Sequence, residues 1–368
     1  MKSFALLPLP HNQDLMIRFL FLLSSFSAFG QVDLEGLLEP KMDLIEIQEQ
    51  GDAWLVSRTS VDTLMEKSLS ISQFEELLDY KKRVLSNQDS IDFYRPYEIL
   101  LKPFEPLQRQ IILIAPPIFE DFPFASLCTE AILGHENYKQ HPYIIQKHSI
   151  STQVDLSTWK AMTDIEVNDG NTVLLVEDVE DREAPLIIEA KSIRDDFGGL
   201  VLDLNGEWIE AIQEARIVHI SSPVKLNSQL SIQENSLRIS PELLSLNGPV
   251  EIDNVFANIR YLKELGTKSM VLNHGAYIPK VSSTIINHFY KNLFDGDRKH
   301  DALQKAQKKY IRKKTDPREA HPYYWAGWKV YGDIKSINNT VNPYFYLLII
   351  ALLLFFYILI KRSNVKMY

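Results

Sequence analysis

Residues 43–333 of this 368-residue chain read as a three-layer α/β domain with a mainly parallel sheet, and residues 343–360 as one C-terminal transmembrane helix. Three observations lead there. The runs IILIAPP (111–117), TVLLVEDV (172–179), ARIVHISS (215–222) and KSMVLNHG (268–275) are continuously apolar and end on turn or polar residues. Strands covered on both faces, as parallel strands are, read this way. Helical segments at 184–197, 253–265 and 281–294 alternate with them, and strand alternating with helix implies a parallel sheet under two helical layers. The third observation is YFYLLIIALLLFFYILI (344–360), which carries no charge and covers ~26 Å as a helix, the short end of a bilayer span.

The two ends agree on a location. Met16-Ile17-Arg18 opens a short apolar stretch that runs to small residues Ser27, Ala28 and Gly30, the pattern of a signal peptide over residues 1–30. Met16 offers an alternative start. Lys361, Arg362 and Lys366 follow the C-terminal apolar run, so residues 361–368 form a basic tail that the positive-inside rule assigns to the cytoplasm. Residues 31–42 and 334–342 then serve as linkers. The expectation is a single-pass membrane protein with its bulk exported, on the periplasmic or cell-surface side.

Within the main segment, AWLVSR (53–58) has strand character and VDTLM (61–65) offers it a partner, after an acidic amphipathic stretch at 33–50. SQFEELLDYKKRVLS (72–86) has helical apolar spacing, and a second helix begins near 94 but is limited by Pro103 and Pro106. Residues 297–320 are strongly basic on an amphipathic helix whose Ala302, Leu303 and Ala306 face inward. A solvated face is the plainer reading of that run, and a surface for anionic lipid or acidic partners the sharper one.

Composition excludes several classes. A formal charge of −9 argues against nucleic-acid binding as a main purpose. A single cysteine, Cys128, rules out an intramolecular disulfide and a cysteine-based zinc site. There is no H-E-x-x-H, Walker A or G-x-G-x-x-G pattern. The pairs His135/His141 and His288/His300 lack ligand spacing, and Asp178, Glu180 and Asp181 form a small acidic cluster whose plainer reading is a solvated loop and whose sharper one is a weak calcium site. No cofactor and no metal are expected.

A set of landmarks in order then resembles the CHAT domain family, which is related to caspases and separases. Tyr97, Leu100 and Pro103, followed by Pro123-Phe124-Ala125-Ser126-Leu127, are similar to the family's opening helix, strand and turn. IIEAKSI (187–193), ARIVHI (215–220), LKELGTKSMVL (262–272) and HPYYWAGWKVYGD (321–333) are similar to its later elements, the last most specifically. The resemblance implies a caspase-like fold and, in active members, a Cys–His dyad at the ends of parallel strands.

Carried over residue by residue, the dyad is not recognisable. His219 in HISSPVK matches the family's structural histidine, and Pro223 stands where the catalytic histidine is expected. ELLSLNGPVEIDN (242–254) occupies the cysteine strand without a cysteine, and Asn247 is the nearest, loose match to the nucleophile. Ser221 and Ser222 have no recognisable base and orienting partner. Cys128 lies where the family packs side chains, and His274 falls on the strand after the nucleophile's. The expectation is a catalytically inactive CHAT-like pseudopeptidase, a membrane-tethered binding or scaffold module for a protein or peptide partner, and not for nucleic acid. The alternatives are an active cysteine peptidase using Cys128 with His219 or His274, or a remnant subunit of a larger peptidase complex.

Overall fold

The computed structural model describes residues 37–51, 53–132, 137–176, 185–203, 207–221, 239–247 and 255–337, with Ala351 and Leu353. Two sheets carry the fold. The first has strand order β3-β2-β1-β4-β5, formed by β1 (Met42–Gln50), β2 (Ala53–Thr59), β3 (Leu64–Leu69), β4 (Gln110–Ile114) and β5 (Ser149–Gln153). The second has order β11-β10-β9-β8-β6-β7. Its strands are β6 (Thr172–Val176), β7 (Leu200–Asp203), β8 (Ile217–Ser221), β9 (Leu243–Asn247), β10 (Ser269–Asn273) and β11 (Trp328–Gly332).

The expected single, mainly parallel sheet is therefore corrected: there are two sheets and both are mixed. In the first, β1–β2 and β2–β3 are antiparallel while β1–β4 and β4–β5 are parallel. In the second, β10–β11 is antiparallel beside parallel pairings of β6, β7, β8, β9 and β10. Connection length is the physical reason. Only a few residues join β1 to β2 and β2 to β3, and so short a link can join only antiparallel strands. Between β1 and β4 the chain has room for the helices α1 (Ile71–Leu85) and α2 (Tyr94–Leu100), which permits a parallel crossover.

Apart from its edge strand β7, the second sheet is buried on both faces. Leu174, Val176, Ile217, Leu243, Val271 and Val330 join the main core under α4 (Pro185–Phe197), α7 (Pro279–Phe294) and α8 (Lys299–Lys313). Val173, Leu175, Val218, Leu244, Leu246 and Met270 face a second core with α3 (Leu156–Thr163), α5 (Ile209–Gln213) and α6 (Val255–Glu264). That sandwich is what turns these strands into unbroken apolar runs. β5 and β11 share no ladder but are stitched by side chains. Ser151 Oγ donates to the Val330 carbonyl at 3.0 Å. The Gln153 amide pairs with both the Gly332 carbonyl and the Gly332 N–H, at 3.0 and 2.9 Å. One side chain thus imitates a peptide group and continues one sheet into the next.

The expected transmembrane helix and single-pass localisation are also corrected. No helix among the described residues is long and apolar enough to cross a membrane. An uncharged run supplies hydropathy, but a span needs about 20 residues in one continuous helix. Of residues 343–360 only Ala351 and Leu353 are described. The remainder of that segment, the 361–368 tail, the 1–30 signal segment with Met16, and Asp178, Glu180 and Asp181 lie outside the described residues.

Candidate functional site

At the C-terminal ends of β8 and β9 the alternation of side chains puts polar residues on one face only. Val218, Ile220, Leu244 and Leu246 stay apolar on the second-core side. His219, Ser221, Ser245 and Asn247 share the opposite face, with His219 paired to Ser245 and Ser221 to Asn247 in register. All four are fully buried. A two-residue period makes such a one-sided stripe inevitable once the polar residues sit at alternate positions.

The helix above supplies the partner. Glu189, on α4 among buried Ile187, Ala190 and Ile193, is 1 % exposed. Its Oε1 accepts from His219 Nε2 at 2.9 Å and from Ser221 Oγ at 2.8 Å. Its Oε2 accepts from Asn247 Nδ2 at 2.6 Å. His219 Nε2 also lies 2.7 Å from Ser221 Oγ. From α7, Tyr290 brings its hydroxyl to 3.2 Å from His219 Nδ1, and its ring stands edge-on to the imidazole at 5.4 Å. Burial pushes the Tyr290 phenol well above its usual range, so it stays protonated and can donate to Nδ1. A buried carboxylate without donors is costly; here three side chains solvate it.

The arrangement joins a serine, a histidine and a glutamate, which the sequence reading of Ser221 did not anticipate. It is not a nucleophilic triad. In a triad one imidazole nitrogen faces the hydroxyl and the other the carboxylate. Here the same Nε2 faces both, and Ser221 Oγ also contacts the carboxylate directly. The hydroxyl proton has a carboxylate to rest on, and the imidazole has no free lone pair aimed at it. Asn247 Oδ1 has no hydrogen-bond partner among the described residues.

The other candidates lie apart. His274 follows β10 on the second-core face, its Nε2 2.8 Å from Tyr331 OH, and burial together with the Lys329 charge holds its pKa well below the usual value. Burial likewise lowers Lys329 to about 7 against the pull of Asp121 and Glu120. Cys128 is fully buried in the main core, where its backbone N–H donates to Phe93 and it bridges to Tyr143. Burial, then Asp92, pushes its thiol far up, away from the thiolate a nucleophile needs. No hydrogen bond or ring contact among the described residues joins Cys128 to His219 or His274. Pro223 lies outside the described residues, two positions along the chain from Ser221. Among the described residues no group of three His, Cys, Asp or Glu side chains could hold a metal ion.

Sequence reasoning missed Glu189, Ser245 and Tyr290. The signal available for the first was an acidic residue inside the apolar run IIEA of a core-facing helix.

Comparison with known proteins agrees with this geometry at the level of class. Residues 245–333 match the family model of the CHAT domain, about a quarter of the chain and the part from β9 to β11. Across the whole domain the fold is similar to that of separase in the Saccharomyces cerevisiae separase–securin complex, with a TM-score of 0.53 and 9% identity over 81% of this chain. The chain spans 30% of that separase chain. No curated protein matches in sequence. The chain therefore has an α/β fold similar to that of separase, and its residues 245–333 match the CHAT domain model.

Proposed function

We propose that this domain is a catalytically inactive CHAT-like pseudopeptidase that acts as a binding or scaffold module for a protein or peptide partner. The observation that carries the reading is the closed network at the paired strand ends. Where a peptidase of this fold needs a thiolate and a free imidazole, Ser221, His219 and Asn247 are all engaged by Glu189. Removal of both chemical groups with retention of the packing is compatible with selection for binding. Separase has been captured in complex with securin, which makes a protein partner the natural class to seek for this chain too.

Thiol chemistry tests the reading. The folded full chain is expected to resist a thiol-directed acyl electrophile, with Cys128 labelled only after denaturation. Rapid stoichiometric labelling of the native protein at neutral pH, abolished by Cys128→Ala, would reinstate the active cysteine peptidase.

A further inference from the structure

Away from the strand ends, α7 and α8 pack side by side and present a surface of one sign. α7 contains no carboxylate, and the only one on α8, Asp301, is 9% exposed. Several cations on and beside these helices are neutralised: Lys299 by Asp333 and Glu242, Lys305 by Asp297, and Lys314 by Glu319. Lys291 on α7 and Lys309, Arg312 and Lys313 on α8 have no carboxylate within 4.0 Å among the described residues, and all four reach the surface.

They act on one another. Lys309 is destabilised as a cation by burial and then by Lys313, Lys291 and Arg312. His288, on α7, has an Nε2 without a partner among the described residues and is held down to about 4 by burial and by Lys309, Lys313 and Lys291. On a chain of net charge −9, a cluster that raises its own electrostatic energy is a place where an incoming anion relieves repulsion.

We propose that the outer face of α7 and α8, centred on Lys291, Lys309, Arg312 and Lys313, docks an acidic segment of a partner protein, an extended run of Asp and Glu. Length favours a short peptide: residues 309–313 cover ~6 Å of helix, the reach of roughly two extended residues. Nucleic acid is disfavoured by the overall charge of −9, which opposes a long polyanion. No exposed large hydrophobic side chain of the described residues lies on either helix to stack a base. The overall negative charge adds selectivity, since it opposes non-specific docking of an acidic partner.

Fluorescence anisotropy of a labelled all-Glu peptide with the full chain tests this, beside an all-Gln peptide and a single-stranded oligonucleotide of equal charge. The Glu peptide should bind, the Gln peptide should not, and added salt should weaken binding. The double variant Lys309→Glu/Lys313→Glu should lose roughly tenfold or more, and Lys309→Gln/Lys313→Gln, which perturbs the fold less, should lose part of that. Lys82→Glu on α1 should change nothing. No binding to the wild-type chain, binding indifferent to both double variants, or tighter binding of the oligonucleotide would each overturn the proposal.

Discussion

Glu189→Ala is expected to destabilise the domain by about 3 kcal/mol or more, since each buried donor left without an acceptor costs about 1–3 kcal/mol. The substitution leaves His219 Nε2, Ser221 Oγ and Asn247 Nδ2 facing a void on the same buried face, each having lost the acceptor it uses now. Glu189→Gln should be milder, and the reason is specific. A glutamine amide would point a donor at Asn247 Nδ2, but Asn247 Oδ1 is unpartnered among the described residues and a half-turn of that amide offers it as the acceptor. His219 and Ser221 would keep a carbonyl oxygen. Denaturant unfolding of the wild type and both variants checks the order, wild type above Gln above Ala. Equal losses for Gln and Ala would mean that the charge matters and the hydrogen-bond geometry does not.

The second large effect is acid sensitivity above pH 4. His321 is 2% exposed, packed edge-on to Tyr138 at 4.6 Å and near Phe93 at 6.0 Å. Burial lowers its pKa to about 4, and fully buried His300 is lowered for the same reason. The folded state thus holds these imidazoles neutral, while the unfolded chain protonates them near 6.5. Between those values the unfolded state binds more protons, so stability is full above about pH 6.5 and falls as pH drops toward 4. For His321 the loss is roughly 3 kcal/mol at 1.36 kcal/mol per unit. His321→Asn, which keeps an acceptor near the Tyr323 N–H, should flatten the slope of unfolding free energy against pH in that window. An unchanged slope would show that His321 is not held neutral.

Most of the second sheet was legible because its strands are covered on both faces and spell apolar runs. The first sheet was harder. β1 sits within a stretch that reads as acidic and amphipathic, yet it is the central strand, with Asp43 buried against Arg58 at 2.9 Å. An ion pair 15 residues apart in sequence leaves no local trace. β5, SISTQ, is polar by composition and buried because its side chains bond to β11 instead of to solvent. β9 was legible only through its resemblance to the family, since its polar face answers to Glu189, 58 residues upstream of Asn247.

The site divides the same way. His219 and Asn247 were visible as positions in a familiar order, whereas their tie to each other through Glu189 depended on where α4 crosses the sheet. A sequence shows which residue types stand at successive strand ends more readily than it shows how they are tied together.

The most direct measurement is cleavage of a diverse peptide library by the folded full chain, with Cys128→Ala and Ser221→Ala alongside. The account predicts no cleavage by any of the three. Cleavage by the wild type that disappears in either variant would contradict it, and the variant that lost activity would name the nucleophile.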